Sequence, residues 1–241
     1  MFARHKTGAR AALLAAAAFT FSLAFAPHAL ADRSAKASAA AAREALRNVP
    51  VFFIAGADGQ PIHADGDRAI AYYLTRTQAS IAVGLARADR AAAGDDADDL
   101  HVAASTLDAA AHQTLPHRFV RPASHIDEAA AVPGVPLFLI RDKAGAPFTV
   151  KDEAGQRRVF FYLSDDDAQA FAQRILTETK RNPEDVRISI VSLDPVLNAI
   201  LTSTDPLVQD WTIWSSAETR MDADSLKTAA QAQLAQPRRP E

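Results

Sequence analysis

The chain contains no cysteine, and that absence excludes disulfides, thiolate metal sites, thiol nucleophiles and cysteine-linked lipid anchors together. No Gly-x-Ser-x-Gly elbow, Gly-x-Gly-x-x-Gly turn or Walker phosphate loop occurs, and Ser, His and Asp are too scattered to nominate a triad. Catalysis therefore has no residues behind it, and no cofactor is expected. A basic stripe is also missing, which argues against nucleic acid as a partner. Beyond residue 31 no apolar run reaches the roughly 20 residues a bilayer span requires, so an integral membrane protein is not expected.

The N-terminus is of a different kind. Arg4, Lys6 and Arg10 precede a mostly apolar run from Ala11 to Phe25, and Ala29-Leu30-Ala31 is a small-residue cleavage site. Residues 1–31 read as a cleavable signal peptide with processing after Ala31; a membrane anchor is the other reading, but the run is short for one. Removal takes away three cations and no acids, leaving 23 cations against 29 acids, a net of −6. The expectation is a protein of a periplasm-like compartment.

What remains has ordinary globular composition, 49% apolar and 23% charged, enough to bury a sizeable core. It also repeats itself. Val49, Pro50, Phe52, Ile54, Gly59 and Pro61 recur without a gap as Val135, Pro136, Phe138, Ile140, Gly145 and Pro147. AIAYYLT (69–75) pairs with RVFFYLS (158–164), and VAASTLDAAA (102–111) with ISIVSLDPVL (188–197). One supersecondary unit used twice is implied, with insertions confined to loops. The expected layout is a flexible segment at 32–46, repeats at 47–132 and 133–235, and a loose tail at 236–241.

Each unit reads as hairpin, strand, helix, strand and helix, an α/β class with α+β character. The apolar run Val51 to Ala55 is a strand buried on both faces, and Gly59 and Gly145 supply positive φ in the turns. In the second copy Ser164 caps a helix whose stripe is Ala168, Phe171, Ala172, Ile175 and Leu176. In the first, Thr75 and Gln78 form a capping box and Ile81, Ala82, Leu85 and Ala86 give the stripe, a phase that requires a one-residue insertion between the copies. Asp108 and Asp194 are expected to cap short helices, and amphipathic helices are expected at 125–131 and 224–234.

The doubled VP[V/L]F.I...G.P hairpin, the YLSDDDAQAF helix entry and the VSLDPVL turn resemble the 22-kilodalton subunit family of the chloroplast inner-envelope translocon, over about residues 47 to 235. The resemblance implies a pseudo-twofold α/β fold with apolar pockets and a chaperone-like role towards preproteins or outer-membrane proteins. The alanine-rich first helix departs from the family pattern.

Metal chemistry finds little support. His112, His117 and His125 lack helical i, i+4 pairing, Pro116 interrupts them, and His63 and His101 lie elsewhere; loop histidines without a metal are the expectation. Asp165-Asp166-Asp167 lacks calcium-loop spacing and reads as a charge run at a helix N-terminus.

Apolarity on both strand faces is the remaining signal. Helices on both sides of the sheet would account for it; so would helices on one side and an apolar polypeptide-binding groove on the other. In the second case Phe52, Ile54, Phe138, Ile140, Phe160 and Tyr162 share one strand parity and line the groove, with Trp211 and Trp214 at its margin. The functional expectation is a non-catalytic periplasmic chaperone-like protein binding unfolded or translocating polypeptides, with outer-membrane protein precursors as candidate clients. A structural or adaptor subunit of a cell-envelope assembly is the alternative, and a solute-binding protein comes third.

Overall fold

The computed structural model of the chain describes residues 40–41, 43–63, 69–122, 124–151 and 157–235. The expected signal peptide with its Ala31 cleavage site, most of the leader segment and the tail at 236–241 lie outside the described residues. The end of that leader departs from a flexible segment: residues 43–47 are helical, and Leu46 is fully buried in the central core.

The first half runs β1 (Pro50–Ala55), β2 (Ile70–Tyr73), α1 (Arg76–Ala93), β3 (His101–Thr106), α2 (Leu107–Ala111) and β4 (His117–Val120), then a 3-10 turn at Asp127–Ala131. The second runs β5 (Pro136–Asp142), β6 (Thr149–Lys151), β7 (Arg157–Tyr162), α3 (Asp165–Thr179), a 3-10 turn at Pro183–Asp185, β8 (Val186–Ser192), α4 (Leu193–Thr202), α5 (Pro206–Gln209), β9 (Trp211–Trp214) and α6 (Ala217–Ala235).

Two sheets result. The first has the order β3-β1-β2-β4; in the second β5 lies between β8 and β7, and β7 also pairs with β6 and β9. Registers match pair by pair. Phe52 faces Tyr73 as Phe138 faces Tyr162, and Pro50 faces Thr106 as Pro136 faces Ser192. β2 and β4 are parallel, as are β7 and β9. Gly59 (φ 75°) and Gly145 (φ 88°) both hold left-handed turn positions, their N–H groups donating to Gly56 O at 2.9 Å and Asp142 O at 3.0 Å.

The inner faces share one core. Val51, Phe53 and Ala55 of β1 join Leu137 and Leu139 of β5, Val159 and Phe161 of β7, and the apolar sides of α2 and α4. Helices then cover the outer faces. Phe52 lies beneath Ala79 of α1 and Ala223 of α6, while Phe138, Ile140 and Tyr162 lie beneath Ala168, Ala172 and Ile175 of α3. The terminal helical pieces are exchanged: α6 lies on the first sheet, whereas Ala129 of the 3-10 turn packs with Phe138 and Ile140 of the second.

Several local expectations are corrected. α1 buries Ala79 and Val83, and leaves Ile81 and Leu85 61% and 63% exposed. Small side chains let the helix sit close on β1, and the cap at Thr75 sets the phase. Thr75 and Ser164, Ala79 and Ala168, and Val83 and Ala172 are each 89 residues apart, so no insertion separates the helix starts. The capping box is made on one side: Gln78 N donates to Thr75 Oγ1 at 3.3 Å, whereas the Gln78 side chain accepts from the Thr75 hydroxyl at 3.3 Å and donates to Arg121 O at 3.1 Å. Thr106 and Ser192, not Asp108 and Asp194, are the N-caps, because the helices begin two residues earlier and place each Asp in the first turn. Residues 125–131 make only the short 3-10 turn, bracketed by Pro122 and Pro133.

Candidate binding clefts

The site begins with how α3 is anchored. Ser164 Oγ accepts from Asp167 N at 3.3 Å, closing the first turn directly after β7. Asp165, 4% exposed, accepts from Ser124 Oγ at 2.9 Å, His125 N at 2.6 Å and Asp166 N at 3.1 Å, which ties the helix start to the end of the first half. Arg121 holds the connecting segment from the other side. Its guanidinium donates to Gly134 O at 2.9 Å, Ala130 O at 3.0 Å, Ala129 O at 3.2 Å and Val132 O.

So fixed, α3 covers β5 and β8 and leaves β7 and β9 partly open. Of the eight expected groove residues, Phe138 and Ile140 are therefore closed core, 1% and 2% exposed, and Phe52 is closed by α1 and α6 instead. Trp211 is not at the groove either. It lies three residues from Trp214 on one strand and thus on the opposite face, 5.0 Å from Phe161 at the margin of the central core. Ile54 lines a separate cleft of about 290 Å³ with Ala71, Tyr73, Ala82 and Leu85.

Phe160, Tyr162 and Trp214 do converge, in a cleft of about 790 Å³ beside α3. This is within the roughly 300–1,000 Å³ range of binding pockets. Phe160 meets Trp214 edge-on at 5.5 Å and 90°, and Tyr162 lies 5.7 Å from Phe171 at 31°. Arg174 stacks over Phe171 at 5.2 Å, and Arg220 over Trp214 at 4.9 Å. Burial pushes the Tyr162 phenol far above its ordinary pKa, against the opposing pull of Arg174, so it remains a neutral hydroxyl. Burial, with Asp166 adding, also raises Asp167.

Sequence reasoning missed Phe171, Arg174 and Lys151 as cleft residues. The stripe of α3 takes in Phe171 as a core residue, and the signal that sets it apart is its i, i+3 spacing to Arg174 on the flank of the helix. The two clefts correspond through the repeat register: Ala71, Tyr73, Ala82 and Leu85 stand where Phe160, Tyr162, Phe171 and Arg174 stand. A further cleft of about 940 Å³ lies between α1, α6 and β3, lined by small apolar residues and by charges of both signs, among them Arg87, Lys227, Asp98 and Asp99.

His112 Nδ1 pairs with Asp108 O at 2.8 Å, and His117 packs edge-on against Phe119 at 5.7 Å. Among the described residues no group of three or more His, Asp or Glu is arranged to hold a metal ion, and no helix is long and apolar enough to cross a membrane.

No protein-family model matches the sequence, and no curated protein matches it significantly. Solved structures do. Anabaena Tic22, described as a protein of protein transport, aligns with a TM-score of 0.60 at 18% identity, over 84% of this chain and 99% of that one. Tic22 from Plasmodium falciparum aligns with a TM-score of 0.60 at 11% identity, over 78% and 98%. At these identities the likeness establishes a shared fold, in agreement with the motif resemblance to the 22-kilodalton translocon subunits.

Proposed function

We propose that this chain is a non-catalytic polypeptide-binding protein with a transport-associated role, acting in the periplasm after removal of its signal peptide and taking unfolded or translocating chains, including outer-membrane protein precursors. The observation that carries the reading is the aromatic cleft of Phe160, Phe171 and Trp214 above the buried ring of Tyr162, which stays open where the rest of that sheet face is covered. Concave aromatic surface beside a helix suits side chains of an extended or amphipathic segment. The protein-transport description of the Anabaena relative supports the same direction. The reading includes two copies of one unit, supported by the matched strand orders and registers.

In the test, a denatured outer-membrane protein is diluted into buffer containing the chain, and light scattering is followed without nucleotide. The wild type should suppress aggregation at near-stoichiometric ratio. Phe160→Ala with Trp214→Ala should lose most of that activity with unchanged circular dichroism, because both side chains are only half-buried. Phe138→Asp should unfold the protein, since it places an unpaired charge in closed core. Full activity in the double variant would refute the cleft.

One observation favours a second reading, an adaptor subunit of an envelope assembly: Ile81 and Leu85 lie one turn apart on the exposed side of α1. A stable complex of fixed stoichiometry in cell extracts, lost on Ile81→Glu, would select it.

A further inference from the structure

The aromatic cleft is basic in a chain whose processed form has a net charge of −6. Lys151 and Arg174 are part of its lining, and Arg220 stacks on the Trp214 ring. Among the described residues the acid in the lining is Asp167, and burial and Asp166 both disfavour its charged form. Glu178 also reaches the area, with Oε1 3.3 Å from Arg174 Nε, but both side chains are more than 60% exposed, so the pair is weakly held. Arg174 is thus free to exchange partners. The corresponding cleft of the first half differs in each respect: Leu85 replaces Arg174, Ala71 replaces Phe160, and Asp89 stands in the wall beside Arg90.

We propose that the aromatic cleft selects polypeptide segments in which aromatic or large apolar side chains are flanked by Asp or Glu. The inference rests on the polypeptide-binding reading and adds a charge rule to it. Aromatic side chains of the segment fill the space over Phe160 and Trp214, and its carboxylates replace Glu178 on Arg174 and reach Lys151. Long-range attraction by the same cations speeds encounter and weakens with salt. The smaller first cleft has leucine at the position of Arg174, and its Arg90 stands beside Asp89 and pairs with Asp99 at 3.5 Å, so it has no such preference.

The experiment uses calorimetric titration of the processed full chain with three synthetic peptides that share one aromatic centre and carry glutamate, serine or lysine flanks. The glutamate peptide should bind about three- to tenfold more tightly than the serine peptide, as expected for two partly exposed ion pairs, and the lysine peptide most weakly. The ranking should collapse at 0.5 M salt on the order of the screening length. Lys151→Glu with Arg174→Glu should invert it, and Glu178→Gln should tighten the glutamate peptide. Equal affinities for all three peptides, abolished together by Trp214→Ala, would overturn the charge rule and leave polypeptide binding standing. No binding of any peptide to folded protein would overturn both. A self-associated form that excludes peptide and falls apart in the charge-reversed variant would overturn the inference in favour of a second copy as occupant.

Discussion

Asp165 occupies the first turn of α3 with its carboxylate almost out of solvent, and Ser124, His125 and Asp166 all donate to it. Burial alone would raise its pKa, but the bonds from the His125 amide, the Ser124 hydroxyl and the Asp166 amide outweigh burial and hold it below the ordinary carboxylate value. The folded pKa therefore lies below the unfolded one. Its contribution to stability is fully present above the unfolded value of about 3.9 and is lost as pH falls through the lower folded value. Asp165→Asn should destabilise the protein at pH 7 by about 1–3 kcal/mol, because donors aimed at a carboxylate lose part of their acceptor. Thermal melts of variant and wild type should begin to converge below about pH 4 and meet only below the folded value. An undiminished gap at pH 3 would show that the ionised carboxylate is not what the site stabilises.

At the scale of elements, helix ends make the clearest contrast. α1 terminates in Gly94 at φ 81°, the residue suited to that left-handed position, whereas α3 terminates in Lys180 at φ 52°. Opposite outcomes follow from exchanging the chemistry. Gly94→Ala should lower stability by about 1 kcal/mol and Lys180→Gly should raise it by up to about 1 kcal/mol, both read from urea midpoints at constant slope. A loss on Lys180→Gly would mean that the lysine makes an interaction worth more than its backbone strain. Legibility divides along similar lines. β5 was readable because an apolar run bounded by turns has few other solutions, and the Ser164 cap because its oxygen has an N–H within reach. The buried face of α1 was not readable: with alanine on every side, Ile81 and Leu85 drew the stripe by bulk alone, while the packing used the smaller Ala79 and Val83. Strand parity puts Phe160 and Tyr162 on one face, and these two line one cleft with Trp214. It could not show that α3 would close Phe138 and Ile140, nor that the flank of the same helix would add Phe171 and Arg174 to the opening, because both depend on where the helix lies across the sheet.

Across the whole molecule, the two sheets meet through one shared core, and each receives the terminal helical piece of the other half. That exchange accounts for the asymmetry of the clefts. α6 gives the first sheet a second covering helix, while the short turn at Asp127–Ala131 covers only the β5 side of the second and leaves its aromatic strands open. Trp211 and Trp214 are the two tryptophans of the chain, one packed against the core and one in the cleft. The most direct measurement of polypeptide binding at this cleft is therefore the emission of Trp214 in a Trp211→Phe background, titrated with an unfolded polypeptide that lacks tryptophan. The account predicts a blue shift and protection from acrylamide that saturate near one client per chain. Unchanged Trp214 emission while the client demonstrably co-elutes with the protein would place binding elsewhere and contradict it.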